Sequence, residues 1–385
     1  MVVIGIIVEY NPFHNGHLYH LTKIKELYPN SIIIAVMSGN FTQRGEVSII
    51  NKWDKTKIAL ENMIDIVIEL PYPFAVQSAD TFAKGAIELL KELKVEKIIF
   101  GSESNNIEKL IEIANIQLTN KEYKQNIKKY LNEGISYPEA LSKSIMDQSN
   151  EYIKTPNDIL GISYIREIIK QKTNIEPICI KRTNDYNSTE LEEKISSATS
   201  IREALKNDIN VIDQVPSKTY QYLQSQLFFI EDYFPYLKYK ILADIDNLNK
   251  YQTVDEGIEN RIKKYIISST SLDELINNIK TKRYTYNKIR RMLTHILNNF
   301  TKEDALSFKD VRYIRLLGFN GSGKNYLNKI KKQTSIPIIT RYKDLDDEIL
   351  DFEFKTTTVY SSILNEKEKK ELIEQEYKNK PIIKE

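Results

Sequence analysis

The amino-terminal stretch over residues 2–20 most constrains what this chain can fold into. It opens with seven mostly β-branched apolar residues, Val2–Val8, and then turns through Asn11 and Pro12. An apolar run bounded by Asn-Pro predicts a buried parallel strand, and the periodic segment from Leu18 predicts a helix. A strand, a tight turn and a helix aim free backbone N–H groups at an anion. We therefore predict a phosphate site at this turn.

Three of the four histidines of the protein, His14, His17 and His20, lie in this stretch. His14 and His17 are three residues apart, so both can face one point above the first helical turn. Imidazoles there can donate to phosphate oxygens and stabilise charge on a leaving pyrophosphate. A zinc site needs further ligands, and Cys179 and His295 are the remaining cysteine and histidine. A nucleotide phosphate is the favoured ligand, and a metal site or a structural loop is the alternative.

Strand and helix patterns alternate up to about residue 205. The predicted strands cover residues 32–37, 65–70, 97–100 and 177–181, and the predicted helices cover residues 52–63, 78–93 and 158–171. This alternation predicts an α/β fold with a parallel sheet, whose ligands bind beyond the carboxyl ends of the strands. From about residue 208 long helical patterns dominate, although short apolar runs at Ile336–Ile339 and Phe352–Tyr360 suggest a few further strands. We expect one domain over residues 1–206 and a mostly α-helical domain over residues 207–385.

A second anion-binding pattern covers Ser196–Arg202. Hydroxyl residues precede a helix that is predicted to begin near Thr199, and Arg202 lies in its first turn. A helix N-terminus, hydroxyl groups and a guanidinium together suit β- and γ-phosphates. Ser197, Thr199 and Arg202 are therefore predicted nucleotide contacts, with a capped surface helix as the alternative.

These motifs resemble those of known enzymes. The segment IVEYNPFHNGH resembles the first motif of the nucleotidyltransferase superfamily, in which His-x-Gly-His follows an Asx-Pro turn. Met37–Glu46 (MSGNFTQRGE) and Lys52–Asp54 (KWD) resemble the bacterial tRNA(Met) cytidine acetate ligase family. Ser196–Arg202 is similar to the Ser-Ser-Thr-x-Ile-Arg loop of small nucleotidyltransferases, from which Ala198 and Ser200 depart. The resemblance implies a Rossmann-like nucleotidyltransferase domain that binds ATP, with Mg²⁺ accompanying the nucleotide.

Specific site residues follow from this resemblance. His14, His17 and Arg202 are expected to be catalytic. Asn157 is also expected to cap a helix, and Gly101, which lacks a Cβ, lets an adenine or a ribose approach the backbone. The residues expected to bind ATP are Ile7, Val8, Glu9, Tyr10, Asn11, Pro12, Phe13, His14, Asn15, Gly16, His17, Leu18, Tyr19, His20, Gly101, Asn157, Arg182, Ser197 and Thr199.

A basic segment follows in the second half of the chain. Residues 280–343 hold 16 Lys or Arg against 3 Asp or Glu. The net charge of the protein is only +2, so any affinity for nucleic acid must come from such a local cluster. Basic groups for phosphates and aromatic faces for unstacked bases suit RNA, whereas a solvated lysine-rich face is the alternative. The interleaved aromatic residues are Tyr284, Tyr286, Phe300, Tyr313, Phe319, Tyr326 and Tyr342. The residues predicted to contact tRNA are Arg44, Arg283, Lys288, Arg290 and Arg291.

The first-domain motifs predict attack on the α-phosphate of ATP, with pyrophosphate leaving beside His14, His17 and residues 196–202. The resemblance implies that acetate attacks and forms acetyl-adenylate. The acetyl group would then pass to N4 of the wobble cytidine of elongator tRNA(Met), giving N4-acetylcytidine without acetyl-CoA. Two alternatives stay open: an enzyme of the same fold that joins AMP to a phosphorylated cofactor precursor, and a non-catalytic RNA-binding protein.

Composition indicates the cellular compartment of the protein. One cysteine gives no disulfide framework. The amino-terminal apolar run is far shorter than the ~18 residues of a membrane span, and no basic segment precedes it. We therefore expect a cytoplasmic protein without a membrane partner.

The segment Gly318–Asn325 matches the spacing of an ATP-binding phosphate loop except at its last residue. Asn325 stands there in place of the Ser or Thr that binds magnesium. Because its flanks have helical patterns, we interpret it as a glycine-rich connection between helices that contacts RNA rather than as an ATP site.

Overall fold

A mostly parallel β-sheet forms the centre of the computed structural model, which describes residues 1–149, 151–182, 196–378 and 380–385, and not the side chain of Pro138. Its first five strands are parallel and lie in the order β5-β4-β1-β2-β3, which confirms the predicted α/β fold. The strands are β1 (Val3–Val8), β2 (Ile32–Ser38), β3 (Ile66–Leu70), β4 (Lys97–Ser102) and β5 (Glu176–Lys181). Every residue of β2 and β3 is buried, as the continuous apolar runs predict.

Helices connect these strands. Between β1 and β2 the helix begins at Asn15, three residues before the predicted start, because His14 rather than a later residue caps it. The helices of this half are α1 (Asn15–Leu27), α2 (Lys52–Glu61), α3 (Tyr72–Ala75), α4 (Ala79–Glu92), α5 (Ile107–Thr119), α6 (Lys121–Asn132), α7 (Tyr137–Ser149), α8 (Pro156–Lys170) and α9 (Ala198–Lys206). None of the helices among the described residues is both long enough and apolar enough to cross a membrane.

The rest of the chain is mostly helical, as predicted. Its α-helices are α10 (Ser217–Leu223), α11 (Phe234–Ala243), α12 (Ile258–Ile266), α13 (Leu272–Ile279), α14 (Tyr286–Asn298), α15 (Lys302–Ser307), α16 (Gly321–Ile330), α17 (Glu348–Tyr360) and α18 (Glu366–Lys378). Short 3₁₀ helices cover Ile230–Tyr233, Ile245–Lys250, Tyr342–Asp344 and Ser361–Ile363. Its strands are β6 (Ile314–Asn320), β7 (Ile338–Ile339) and β8 (Ile382–Lys384).

Strand β6 extends the sheet of the first half. It pairs antiparallel with β3, and β7 and β8 pair parallel with β6. The sheet therefore takes strands from both sides of residue 206, and a domain boundary at that residue stays a prediction.

Two local predictions are wrong. Phe352–Tyr360 lies in α17 and not in a strand, and its buried residues Phe352, Thr356 and Tyr360 recur at the four-residue interval of a helix. The segment before Gly321 is strand β6 and not a helix. In both places the burial of each residue is decided by distant parts of the chain, which a local pattern does not reveal.

A buried charge cluster joins the two halves of the chain. The Nζ atom of Lys52 on α2 lies 2.7 Å from Glu69 Oε1 on β3 and 2.9 Å from Glu376 Oε1 on α18. Arg315 Nη2 on β6 lies 3.5 Å from the same Glu376 oxygen. These four side chains are at most 1% exposed. Removing one member would leave a buried charge without its partner, which is strongly destabilising.

We predict that Lys52→Met lowers the free energy of unfolding by about 3–5 kcal/mol, because it leaves the buried carboxylate of Glu69 without its cation and Glu376 with Arg315 alone. Lys57→Met on the same helix is the matched control. Lys57 pairs with Asp54 at 2.8 Å, and its side chain is 41% exposed, so its loss should cost about 1 kcal/mol or less. Urea denaturation of the three proteins measures both values, and equal losses in the two variants would contradict the role given to the buried cluster.

Candidate active site

The carboxyl ends of β1, β4 and β5 and the loop after β2 open into one cleft. Most of the predicted nucleotide contacts line it, and Arg44 and Arg202 do so too. These contacts are Ile7, Val8, Glu9, Tyr10, Asn11, His14, Gly16, His17, Tyr19, His20, Gly101, Asn157, Arg182, Ser197 and Thr199. The structure thus brings together residues from six separate parts of the chain.

Four residues predicted to bind ATP do not line this cleft. Pro12 and Phe13 are buried in the turn, and the Phe13 ring packs against the rings of Tyr10 and His17. Asn15 Nδ2 donates a hydrogen bond to the carbonyl of Asp213. Leu18 packs against the hydrophobic core.

The two motif histidines have defined hydrogen bonds. His14 Nδ1 accepts a hydrogen bond from Gly16 N at 3.0 Å, and His17 Nδ1 accepts one from His14 N at 3.2 Å. Their ring centroids are 3.8 Å apart. Since both Nδ1 atoms are acceptors, a neutral ring carries its proton on Nε2 in each case. Each imidazole can therefore offer one Nε2–H donor to a ligand.

Burial keeps these imidazoles neutral. Burial, followed by the charges of Arg182 and Arg202, lowers the pKa of His14 to about 3. Burial also lowers the pKa of His17 well below its usual value and that of His20 to about 4. At neutral pH the histidines are thus hydrogen-bond donors without charge, and the arginines supply the positive charge.

The turn after β1 is held by neighbouring backbone. Tyr10 adopts a positive φ of 47°, which L residues rarely adopt. Asn11 Oδ1 accepts from Ile49 N at 2.8 Å, and Asn11 Nδ2 donates to Val47 O at 3.2 Å. The segment after β2 therefore fixes the turn that presents the histidines.

Arg202 connects the second motif to the first. Its Nη1 donates to Asn11 O at 2.8 Å, and its Nη2 lies 3.4 Å from Thr199 Oγ1. Ser197 caps α9 and accepts from Ser200 N at 3.0 Å. The predicted helix start and its capping hydroxyl are confirmed, and they hold the Arg202 guanidinium beside the turn of β1.

Gly101, Asn157 and Arg182 form the opposite wall. A Cβ added at Gly101 would lie 3.0 Å from Arg182 Cγ, and Asn157 Nδ2 donates to Glu103 Oε1 at 2.5 Å. The predicted cap at Asn157 is wrong, because Thr155 is the N-cap residue and Asn157 follows Pro156 in the first turn of α8. Asn157 Oδ1 is instead an acceptor for Arg182 Nη1 at 3.5 Å.

Two residues at the site were missed by the sequence analysis. Glu46 Oε2 lies 3.4 Å from Arg202 Nε, and Glu46 Oε1 lies 3.0 Å from Arg290 Nη1. Lys55 Nζ donates to the carbonyl oxygens of Glu9, Ser38 and Gly39 at 2.8–2.9 Å, and burial lowers the pKa of Lys55 to about 7. Glu46 ends the segment Met37–Glu46, but no role was predicted for it, and the partners of both residues are distant in sequence.

The residues predicted to contact tRNA lie in different environments. Arg283 is exposed, and Lys288 Nζ lies 3.8 Å from the centroid of the Tyr284 ring. Arg290 is buried and paired with Glu46. Burial, followed by the nearby charge of Arg44, lowers the pKa of Arg291 to about 10.

Helix α14 contacts the loop that lines the cleft. A Cβ added at Gly45, whose φ is +74°, would lie 2.4 Å from Arg291 N, so glycine permits this close approach. Thr294 Oγ1 donates to Gly45 O at 2.8 Å. The loop that carries Arg44 and Glu46 is therefore packed directly against α14.

Two expectations about the basic segment are wrong. Several of its aromatic residues are buried in the core and offer no face to a base, because they pack between helices. These are Tyr284, Phe300, Tyr313 and Tyr326. The segment Gly318–Asn325 does not connect two helices, because its first three residues end β6 and the others begin α16. A Cβ added at Gly323 would lie 2.2 Å from Asp65 O. Glycine at position 323 permits this close approach to the backbone of Asp65.

The described residues contain no group of three or more His, Cys, Asp or Glu side chains that could hold a metal ion. In the cleft the histidine Nδ1 atoms already accept backbone hydrogen bonds. The Nε2–H donors of these rings, together with Arg182 and Arg202, suit an anionic ligand.

Comparison with known proteins agrees with this geometry. The family described as HIGH Nucleotidyl Transferase matches residues 1–376. A tRNA(Met) cytidine acetate ligase from Anoxybacillus flavithermus is 41% identical over 400 residues, covering 99% of this chain and 100% of the relative. One from Clostridium novyi is 41% identical over 384 residues, covering 94% of this chain and 96% of the relative.

Solved structures give the same result. The apo form of TmcAL from Thermotoga maritima superposes with a TM-score of 0.92 at 33% identity, covering 100% of this chain and 99% of that one. A second form of that protein, bound with alpha-thio ATP, superposes with a TM-score of 0.89 at 32% identity over the same shares. The chain therefore belongs to the HIGH nucleotidyl transferase family and, within it, to the tRNA(Met) cytidine acetate ligases.

Proposed function

We propose that this protein is an ATP-dependent ligase that activates acetate as acetyl-adenylate and transfers the acetyl group to N4 of the wobble cytidine of elongator tRNA(Met). The observation that carries the proposal is the pair of neutral imidazoles, His14 and His17, held beside Arg202 in one cleft. The alpha-thio ATP bound by the Thermotoga maritima relative supports ATP as the ligand. The names of the relatives support the tRNA substrate.

In the first step a carboxylate oxygen of acetate attacks the α-phosphorus of ATP, and pyrophosphate leaves. The Nε2–H groups of His14 and His17 donate to the phosphate oxygens, and Arg202 offsets the charge that develops on the leaving group. Positioning and charge stabilisation supply most of the acceleration, since this chemistry needs little covalent help from the protein. Magnesium would accompany the triphosphate and neutralise part of its charge.

In the second step the tRNA must present a single base to the cleft. Arg283, Lys288 and Arg291 lie on or beside α14, which packs against the loop carrying Arg44. We propose that these basic groups bind the tRNA backbone and direct the wobble nucleotide to the cleft. Arg290 would hold Glu46 in place and would not contact the tRNA itself, because its guanidinium is buried against Glu46.

The proposed function is tested by incubating the protein with tRNA, ATP and isotopically labelled acetate, followed by mass spectrometry of the tRNA nucleosides. We expect labelled N4-acetylcytidine, and acetate-dependent exchange between ATP and pyrophosphate. Exchange that requires a nucleotide-like acceptor instead of acetate would favour AMP transfer to a cofactor precursor. No exchange with any substrate would favour a non-catalytic RNA-binding protein.

We predict that His17→Ala lowers ATP–pyrophosphate exchange by about 10²-fold, because one hydrogen-bond donor to the developing charge is lost. The affinity for tRNA, measured by filter binding, should be retained. His17→Gln, which keeps an N–H donor, should recover part of the exchange rate. Exchange that is unaffected by the alanine substitution would mean that the nucleotide binds elsewhere.

We predict that replacing Arg283 and Lys288 together by alanine weakens tRNA binding. Each lost phosphate contact should also reduce the slope of log affinity against log salt by about 0.7–0.9. The matched control replaces Lys367 and Lys370, two exposed lysines of α18, and should leave the slope unchanged. Equal effects of the two double variants in a salt titration would contradict a tRNA surface at α14.

A further inference from the structure

Glu9 is the first residue after β1, and its side chain lines the cleft. Its Oε1 accepts a hydrogen bond from Gln43 N at 2.6 Å. Its backbone carbonyl accepts a hydrogen bond from Lys55 Nζ at 2.9 Å, which fixes the position of the residue. Among the described residues no lysine or arginine nitrogen forms an ion pair with the Glu9 carboxylate. The carboxylate is thus held in place by one backbone N–H and keeps its second oxygen for another partner.

Three of the other titratable groups that line the cleft have different roles. His14 and His17 are neutral, and each Nδ1 already accepts a backbone hydrogen bond, so neither ring has a free acceptor nitrogen. Glu46 is the other carboxylate among the described residues that line the cleft, and it forms ion pairs with Arg202 and Arg290. Burial raises the pKa of Glu46, but the two arginines hold it below its usual value. Glu46 is therefore a poor proton acceptor.

The second step of the proposed reaction needs such an acceptor. The N4 lone pair of cytidine attacks the acetyl carbonyl carbon, a C–N bond forms, and the C–O bond to the adenylate phosphate breaks. AMP leaves with the electron pair of that bond, and N4 must lose one proton. A positioned carboxylate that takes this proton contributes typically 10²–10⁴-fold to such a reaction.

We propose that Glu9 is the general base that takes the N4 proton during acetyl transfer, an inference that rests on the function proposed above. The proton passes from N4 to a carboxylate oxygen of Glu9 and from there to water. Acetate activation needs no proton acceptor, because acetate reacts as an anion. Glu9 should therefore affect the second step far more than the first.

The charged surroundings of Glu9 set the pH at which it works. Burial raises the pKa of Glu9 above its ordinary value, whereas Arg44, Lys55 and Arg202 lower it. Burial, followed by the charge of Glu9, raises the pKa of the Tyr164 phenol on α8. A base acts only when ionised, so acetyl transfer should fall as the pH falls through the raised pKa of Glu9.

The test uses Glu9→Gln in the full-length protein. The amide oxygen of glutamine can still accept from Gln43 N, so this variant removes the base and keeps the structural hydrogen bond. We expect single-turnover acetyl transfer to tRNA to fall by at least about 100-fold more than acetate-dependent ATP–pyrophosphate exchange. The acidic limb of the transfer rate should also disappear. Equal losses in the two steps, or an unchanged acidic limb, would overturn the proposal.

Two further variants sharpen this test. Glu9→Asp keeps a carboxylate, so it should transfer acetyl groups faster than Glu9→Gln, and the acidic limb of its transfer rate should be displaced. Transfer no faster than in Glu9→Gln, or an acidic limb at the wild-type pH, would overturn the proposal. The acidic limb of Glu9→Asp gives this test even if Glu9→Gln fails to fold. Glu46→Gln is the matched control, because Glu46 pairs with Arg202, which acts on the pyrophosphate leaving group. It should slow ATP–pyrophosphate exchange and should not slow acetyl transfer more than exchange. A wild-type protein without acetate-dependent exchange would contradict the proposed function itself, which separates that failure from an error about Glu9.

Discussion

The ammonium of Lys52, buried between carboxylates from opposite ends of the chain, is the interaction on which the rest of the structure depends. Glu69 and Glu376 contact it, and Arg315 supplies a second buried cation. Burial, followed by the charge of Glu69, raises the pKa of Glu353 well above its usual value, so this carboxyl stays neutral. Two cations then balance two anions. Because each charge of the cluster has lost its water, the two halves of the chain must meet in the one arrangement that pairs them all.

This cluster also supports the floor of the cleft. Lys52 and Lys55 lie one turn apart on α2, and Lys55 Nζ binds the carbonyls at the tips of β1 and β2. The backbone N–H of Lys52 donates to Asn40 Oδ1, and Asn40 Nδ2 donates to Thr357 Oγ1 on α17. One helix therefore joins the strand tips that form the cleft to the carboxyl-terminal half of the chain. The strand tips that form the cleft therefore depend on contacts with the carboxyl-terminal half of the chain.

A residue of this site could be predicted from the sequence when its position depends on neighbouring residues, and not when it depends on residues far away in the chain. His14, His17 and Arg202 were predictable because a three-residue spacing and a helix start place them without knowledge of the rest of the fold. Glu46 was not, because its partner Arg290 lies 244 residues further along the chain. The parallel sheet was predictable from its apolar runs, whereas β6 was missed because a fully buried arginine, Arg315, interrupts its apolar pattern.

The same distinction explains the aromatic residues of the basic segment. Interleaved tyrosines and phenylalanines predict a face for bases only if they are exposed, and exposure depends on packing between helices that sequence spacing does not encode. Tyr284 is an example, because its ring is buried in the core and Lys288 Nζ lies over it. Glu46 links this region to the cleft, since its two oxygens bind Arg202 on one side and Arg290 on the other. An anion that attracts Arg202 competes with Glu46 for the same guanidinium, so charge in the cleft and the position of α14 are connected through a single carboxylate.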